Sequence, residues 1–218
     1  MTSAISPTER PPTEEIFYRF LNFREWDVSE LSFGKYVSMK SQNDTSVTSI
    51  PVFPSRVFRL SSIYVRSDTK MKKIEDLAGR KIGVPEWAQT AGVYCRGLLT
   101  HTHDVPLKSV EWVQAGVNEP GRVEKVKLRL PKGMKYSIDR EHTLSELLLT
   151  GKIDAILSAR QPNSFGKGVV RLFPDYQKAE EEYRQRQLMQ QNELQRQQLQ
   201  QFQPHAYPTQ PAFYPPAP

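Results

Sequence analysis

One stretch of the chain, residues 77–96, has the order turn, strand, turn, helix. In LAGRKIGVPEWAQTAGVYCR, Gly79 ends a short helix, Lys81–Val84 forms a strand, Pro85 turns the chain, and a helix begins near Ala88. Open α/β sheets bind anions where a helix opens directly after a strand, because the first N–H groups of the helix have no partner within it. The stretch therefore predicts an α/β protein with an anion site near this turn.

A second stretch, IPVFPSRVFR at residues 50–59, adds a hydroxyl and positive charge. We expect a buried strand that ends at the Pro–Ser–Arg corner. Ser55, Arg56 and Arg59 would then be placed to hold a carboxylate by charge-assisted, bidentate hydrogen bonds. Each arginine alone also fits an exposed edge or a structural ion pair, and Ser55 also fits a turn residue. Both interpretations stay open.

The overall charge favours an anionic partner. The 218 residues carry a formal net charge of +6, and residues 54–135 contain 16 Lys or Arg against 8 Asp or Glu. No nucleic-acid-binding motif is visible, so we expect a small anion and no nucleic acid. The single cysteine rules out an internal disulfide and fits a reducing compartment. Without a signal-type segment or an apolar run of about 18 residues, we expect a cytoplasmic protein with no membrane span.

Apolar spacing and turn residues predict the other elements. We expect helices at residues 14–23, 32–40, 71–77, 88–99 and 143–150. We expect strands at residues 26–31, 50–53, 61–65, 81–84, 110–114, 123–130 and 153–157. Thr143 at the N-cap and Glu146 three residues later form a capping box. Strands that alternate with helices predict a parallel or mixed sheet.

Six blocks in register carry a family resemblance. They are DVSELSFGKY (27–36), IPVFPSRVFR (50–59), LAGRKIGVPEWAQTA (77–91), EPGRVEKVKLRLP (119–131), HTLSELLLTGKIDAI (142–156) and RLFPDYQKAEEEY (171–183). Together they resemble the 4,5-dihydroxyphthalate decarboxylase family, which is similar to the type II periplasmic-binding proteins with their two lobes and a cleft. Relative to that family, the chain looks truncated at both ends.

The resemblance implies a domain organisation. Residues 14–65 would form a partial first lobe, 66–160 a nearly complete second α/β lobe, and 161–183 a segment that returns to the first lobe. Prolines and small polar residues make 1–13 a disordered leader. Residues 184–218 are a Gln- and Pro-rich low-complexity tail that we expect to be disordered, since ten of the nineteen residues in 185–203 are glutamine.

The resemblance also implies an activity. It is a carboxy-lyase of phthalate degradation that removes one carboxyl group from an aromatic dicarboxylate with ring hydroxyls, non-oxidatively and without a cofactor. A ring hydroxyl supplies electrons, a general acid protonates the carbon that loses CO2, and arginines with helix N–H groups hold the other carboxylate. Because half of one lobe is missing relative to that family, we expect this chain to be a poor or inactive enzyme.

Several residues are candidates for the site that the resemblance implies. Glu30 and Ser32 end the predicted strand 26–31, and Arg160 follows strand 153–157; both ends would face the cleft. Thr90 opens the helix after Pro85 and, with the adjacent N–H groups, would bind a carboxylate. Ser32 and Thr90 fit helix capping equally well, and Arg160 fits a surface arginine.

The candidates for the general acid are side chains that can donate a proton. His142 precedes the capped helix and has a suitable intrinsic pKa, so His142 and Glu30 are predicted as catalytic. Glu86 we interpret as a surface acid, and Cys95 as a core residue. His101, His103 and Asp104 lack a further spaced ligand, so no metal site is predicted.

Two other classes of function are compatible with the same residues. A non-catalytic module that binds small carboxylates would use the same turn and arginines, because fold does not establish chemistry. An interaction protein would use the tail to recruit partners. Association of copies of the chain into a homo-oligomer is a further alternative, since it would cover an unpaired edge.

Overall fold

The computed structural model describes residues 13–55 and 57–201 of the chain, with Gln201 described by its backbone alone. Arg56 and nearly all of the predicted leader lie outside these residues. The chain divides into two compact units, Met1–Glu180 and Glu181–Pro218.

A mixed six-stranded sheet forms the centre of the first unit. Its strands are β1 (Ile63–Arg66), β2 (Lys81–Val84), β3 (Glu111–Gly116), β4 (Lys135–Thr143), β5 (Ala155–Leu157) and β6 (Val169–Arg171), in the spatial order β4-β3-β2-β5-β1-β6. Strands β4, β3, β2 and β5 are parallel, whereas β1 runs antiparallel to both β5 and β6. The predicted α/β class and mixed sheet are confirmed.

Five α-helices occur in the described part of the chain. They are α1 (Thr13–Phe23), α2 (Phe33–Lys40), α3 (Thr90–His101), α4 (Leu144–Leu149) and α5 (Tyr176–Gln201). Short 3-10 turns lie at Leu60–Ser62, Ile74–Leu77 and Leu107–Ser109, so the predicted helix 71–77 is shorter and tighter than expected. No helix within residues 13–55 and 57–201 has the length and apolar character needed to cross a bilayer.

Two apolar clusters cover the two faces of the sheet. On β2, Ile82 and Val84 belong to the cluster that contains Leu99 of α3. Successive strand residues point to opposite faces, so Gly83 faces the other cluster, where a Cβ would lie 2.5 Å from the Leu144 side chain. Helices α3 and α4 therefore pack on opposite faces, and the chain between them can place side chains at the ends of the strands.

Where local signals were strong, the predicted elements are confirmed. Strand 81–84 has the expected bounds, and the capping box is formed: Thr143 Oγ1 accepts a hydrogen bond from the Glu146 N–H at 3.1 Å, and Glu146 Oε2 accepts one from the Thr143 N–H at 2.9 Å. Both depend on nearest-neighbour chemistry that the sequence displays directly.

Three predicted strands are wrong. Residues 26–31, 50–53 and 123–130 form no strand, and Ile50 and Val52 are 65% and 63% exposed. An apolar or alternating run becomes a strand only where a neighbouring strand and a packing face are available. Conversely, β4 was not predicted, because this edge strand has the polar sequence KYSIDREHT and exposes much of it.

Helix α5 continues into the predicted low-complexity tail as far as Gln201. Glutamine, glutamate, arginine and leucine are good helix formers, and side-chain pairs one turn apart add support, as between Arg184 and Glu181. Residues 202–218 lie outside the described part of the chain.

Candidate active site

The carboxyl ends of β3, β2 and β5 lie side by side, and the segments that follow them contribute to one region of the surface. Residues 85–91 follow β2, residues 117–122 follow β3, and residues 158–160 follow β5. This is the edge at which open α/β sheets bind their ligands. The helix after β2, α3, directs its N-terminus to this region.

A groove of about 650 Å³ opens there. One wall consists of Glu86, Gln89, Thr90 and Ala91 from the turn after β2. The opposite wall is formed by α1 and by residues from the stretches 27–36 and 47–55. Its charges have both signs: Lys35, Arg59 and Arg122 are basic, and Glu14, Asp27, Glu30 and Glu86 are acidic. The volume is typical of sites for small molecules.

Two hydroxyl groups join the walls of the groove. Ser32 Oγ lies 2.9 Å from Thr90 Oγ1, and Thr90 Oγ1 also accepts a hydrogen bond from the Gly34 N–H at 3.0 Å. Helix α3 itself begins after Gln89, and neither Ser32 nor Gln89 makes a side-chain capping bond. Whichever hydroxyl donates within the pair, one hydroxyl hydrogen is left for another acceptor.

Helices α2 and α3 approach each other closely at Gly34. A Cβ at this position would lie 2.6 Å from the Ala88 carbonyl oxygen and 3.1 Å from the Thr90 backbone nitrogen. Only glycine allows that approach without displacement of a backbone. The N-terminal ends of the two helices therefore meet at the groove.

A buried ion-pair cluster lies below the hydroxyl pair. Glu86 is 1% exposed; its Oε2 lies 2.9 Å from Lys35 Nζ, and its Oε1 accepts hydrogen bonds from Arg122 Nε at 2.8 Å and Nη2 at 2.5 Å. Two cations and one carboxylate leave a formal excess of one positive charge. A buried carboxylate is costly unless it is paired with a cation and hydrogen-bonded, and the two bonds from Arg122 meet that condition here.

The turn that carries Glu86 is fixed from outside the groove. Glu124 Oε2 accepts hydrogen bonds from the Trp87 N–H at 2.6 Å and the Ala88 N–H at 3.3 Å, and Arg96 Nη2 donates to the Trp87 carbonyl at 2.5 Å. Burial, with the negative charge of Glu86 nearby, raises the pKa of Glu124 above its ordinary value. These bonds hold the N-terminal end of α3 in place.

Most of the residues predicted from the sequence lie along this groove. Glu30, Ser32, Ser55, Arg59 and Thr90 all line it. Arg56 lies outside the described residues. Arg160 lines a smaller adjoining pocket together with Arg122, at the edge of the groove.

His142 lies elsewhere, at the end of β4. It lines a different, open depression with Lys81 and Lys152, and its Nδ1 is 2.9 Å from Asp139 Oδ2. The two residues predicted as catalytic, His142 and Glu30, are thus not brought together.

The interpretation of Glu86 as a surface acid is wrong, and its two partners were not singled out. Lys35 reaches Glu86 from α2, and Arg122 reaches it from the loop after β3. No local pattern predicts such burial, since it depends on segments about 36 to 51 residues away closing over the side chain. The only signal in the sequence for this cluster was a lysine, Lys35, three residues after Ser32 in a helix next to the predicted anion site.

The remaining candidates have structural surroundings. His103 Nδ1 lies 2.6 Å from Glu75 Oε1, and this contact lowers the pKa of Glu75. Cys95 is buried in the core, as predicted, and burial raises the pKa of its thiol to about 12.

The fold and the groove together define an α/β protein in which hydroxyl groups, charged side chains and a helix N-terminus converge beyond parallel strands. No family model matches the chain. It is 39% identical over 177 residues to a 4,5-dihydroxyphthalate decarboxylase of Comamonas testosteroni, covering 79% of this chain and 54% of that protein. It is also 39% identical over 156 residues to a 4,5-dihydroxyphthalate decarboxylase of Pseudomonas putida, covering 71% of this chain and 60% of that protein.

The chain is similar to 4,5-dihydroxyphthalate decarboxylases over most of its own length, and the resemblance of the six sequence blocks is confirmed. The chain spans between 54% and 60% of the length of these curated relatives.

Proposed function

We propose that the chain is a carboxy-lyase that removes CO2 from a hydroxylated aromatic dicarboxylate of the 4,5-dihydroxyphthalate type. The observation that carries the proposal is the 39% identity to two proteins named for this activity, over most of the chain. The structure adds a groove of suitable size, about 650 Å³, at the edge of the sheet where such folds bind ligands.

In this proposal the carboxylate that is retained binds at the N-terminal end of α3. The hydroxyl hydrogen left over by the Ser32–Thr90 pair donates to it, and the helix dipole favours its charge. Arg59 and Ser55 line the same groove and would bind the substrate there. Arg56 belongs to the proposal on sequence grounds, and Arg160 is placed at the edge of the groove.

The chemistry requires little else from the protein. A ring hydroxyl para to the departing carboxylate pushes electron density into the ring, a proton adds to the carbon that bears this carboxylate, and CO2 leaves as the ring becomes aromatic again. The departing carboxylate loses its charge in this step. Strong cation contacts to the departing carboxylate would therefore slow the step, whereas contacts to the other carboxylate bind the substrate without that cost.

The architecture in this proposal is that of a type II periplasmic-binding protein. Residues 14–65 and 161–183 would contribute to one lobe, and residues 66–160 would form the other. Glu30 would face the bound substrate, whereas His142 is left out of the substrate site because it lines another depression.

Release of CO2 from 4,5-dihydroxyphthalate by the purified chain tests the proposal. We expect Thr90→Val and Ser32→Ala to raise KM by roughly tenfold, as for a lost charge-assisted hydrogen bond of about 1.5 kcal/mol. Thr100→Val is the matched control, because Thr100 also lies in α3 but bonds only its own helix. The same assay on a chain extended with the remaining segments of the curated relatives separates low activity of this shorter chain from absence of the chemistry. Binding without CO2 release in both would favour a non-catalytic carboxylate-binding module, and absence of both would overturn the proposal.

A further inference from the structure

Lys35 is a basic side chain that lines the groove but is almost completely buried. It lies in the first turn of α2 and lines the groove, yet only 4% of its side chain is exposed. A lysine so deeply buried normally serves either to pair a buried carboxylate or to carry out chemistry, because removing an ammonium group from water is costly.

Pairing alone does not account for Lys35. Arg122 already neutralises the charge of Glu86 through two hydrogen bonds to Oε1, and an arginine does not release its proton in proteins. If Lys35 loses a proton, Glu86 and Arg122 remain as a balanced pair. Within this cluster of three, Lys35 is therefore the group that can release a proton without leaving a buried, unpaired charge.

We propose that Lys35 is the general acid that protonates the ring carbon in the decarboxylation. This inference rests on the proposed function. The proton moves from Lys35 Nζ to the carbon that bears the departing carboxylate, the bond between that carbon and the carboxylate breaks, and its electron pair returns to the ring. CO2 leaves, the amine is neutral, and a proton from water restores the ammonium group. No oxidant, reductant or metal takes part.

The position of Lys35 supports this role over the other groups in the groove. Ser32 and Thr90, which hold the retained carboxylate in the proposed function, belong to the same junction of α2 and α3. Lys35 lies three residues after Ser32, and a bound aromatic ring would extend from the hydroxyl pair into the groove that Lys35 lines. Among the other proton donors that line the groove, Glu30 is exposed to solvent. Tyr36, also on α2, is the donor that competes with Lys35 for the role of general acid.

The experiment removes the amine and then supplies one from solution. We expect Lys35→Ala to lower kcat by at least about a hundredfold, the usual worth of a general acid, and added ethylamine to restore part of that loss in a concentration-dependent way. Lys35→Arg keeps a cation beside Glu86 but should stay as slow as Lys35→Ala, because a guanidinium holds its proton. Lys40→Met, on the same helix but outside the groove, should keep the wild-type kcat.

The outcomes separate this inference from the proposed function. Absence of CO2 release from both the wild-type chain and its extended version overturns both. An active wild type with kcat retained in Lys35→Arg, or with no amine rescue of Lys35→Ala, overturns the role of Lys35 and leaves the proposed function standing. Should Lys35→Ala fail to fold by circular dichroism, Lys35→Arg decides the question. Retained kcat in Lys35→Arg together with a hundredfold loss in Tyr36→Phe would assign the proton to Tyr36 instead.

Discussion

Thr90 and Ser32, 58 positions apart in the chain, place their hydroxyl oxygens 2.9 Å from each other. Through this contact and the Gly34 N–H bond, the segment that precedes the sheet is joined to the N-terminal end of α3. The groove is thus formed by a tertiary junction and not by any single stretch of sequence.

Thr90→Val tests the contribution of this junction to stability. The substitution removes the acceptor of the Gly34 N–H and the partner of Ser32, and we expect it to lower the free energy of unfolding by about 1–3 kcal/mol. Urea unfolding followed by circular dichroism measures the change. Thr100→Val, whose hydroxyl bonds only the preceding turn of its helix, should change stability far less; equal losses would contradict the assignment.

Gly34→Ala tests the close approach of α2 and α3. The new Cβ would lie 2.6 Å from the Ala88 carbonyl oxygen, and backbone on both sides leaves little room for relaxation, so we expect a loss of about 1–3 kcal/mol. Gly97→Ala is the control, because a Cβ there meets no atom within 4 Å and alanine favours a helix interior. It should raise the melting temperature while Gly34→Ala lowers it.

Glu86→Gln tests the buried cluster. The amide would leave Lys35 and Arg122 without a negative partner in a site where Lys35 is nearly inaccessible, and we expect a loss of about 3–5 kcal/mol. Glu111→Gln removes one carboxylate from an exposed pair with Lys81 and should cost no more than about 1 kcal/mol. Similar denaturation midpoints for the two variants would show that Glu86 is not buried as described.

The raised pKa of the buried Cys95 thiol predicts that the folded chain loses stability at alkaline pH. The folded-state pKa of about 12 lies above the ordinary value of 9.0, so the unfolded chain loses this proton first. The thiol's contribution is therefore fully present below about pH 9 and is lost as pH rises toward 12. At pH 10 we expect wild type to have lost about 1 kcal/mol more, relative to pH 8, than Cys95→Ala has lost. Parallel urea unfolding curves for both chains at the two pH values would contradict this.

Where a structural feature depends on neighbours along the chain, it could be predicted from the sequence. Strand 81–84, the glycine after the preceding turn and the capping box of Thr143 and Glu146 follow from apolar spacing and from end-capping chemistry. The turn before α3 and the candidate Thr90 were found in the same way, and Ser32 became a candidate through the family resemblance; both residues line the groove.

Which side chains are buried, and which residues they pair with, could be determined only from the folded structure. Glu86 has the sequence context of a surface acid, yet α2 and the loop after β3 close over it and supply both of its cations. Residues 50–53 look like a buried strand but are exposed, whereas the polar edge strand β4 is paired with β3. The physical reason is the same in each case: solvent exclusion and strand pairing are set by segments distant in sequence, and local spacing carries no information about which of them arrive.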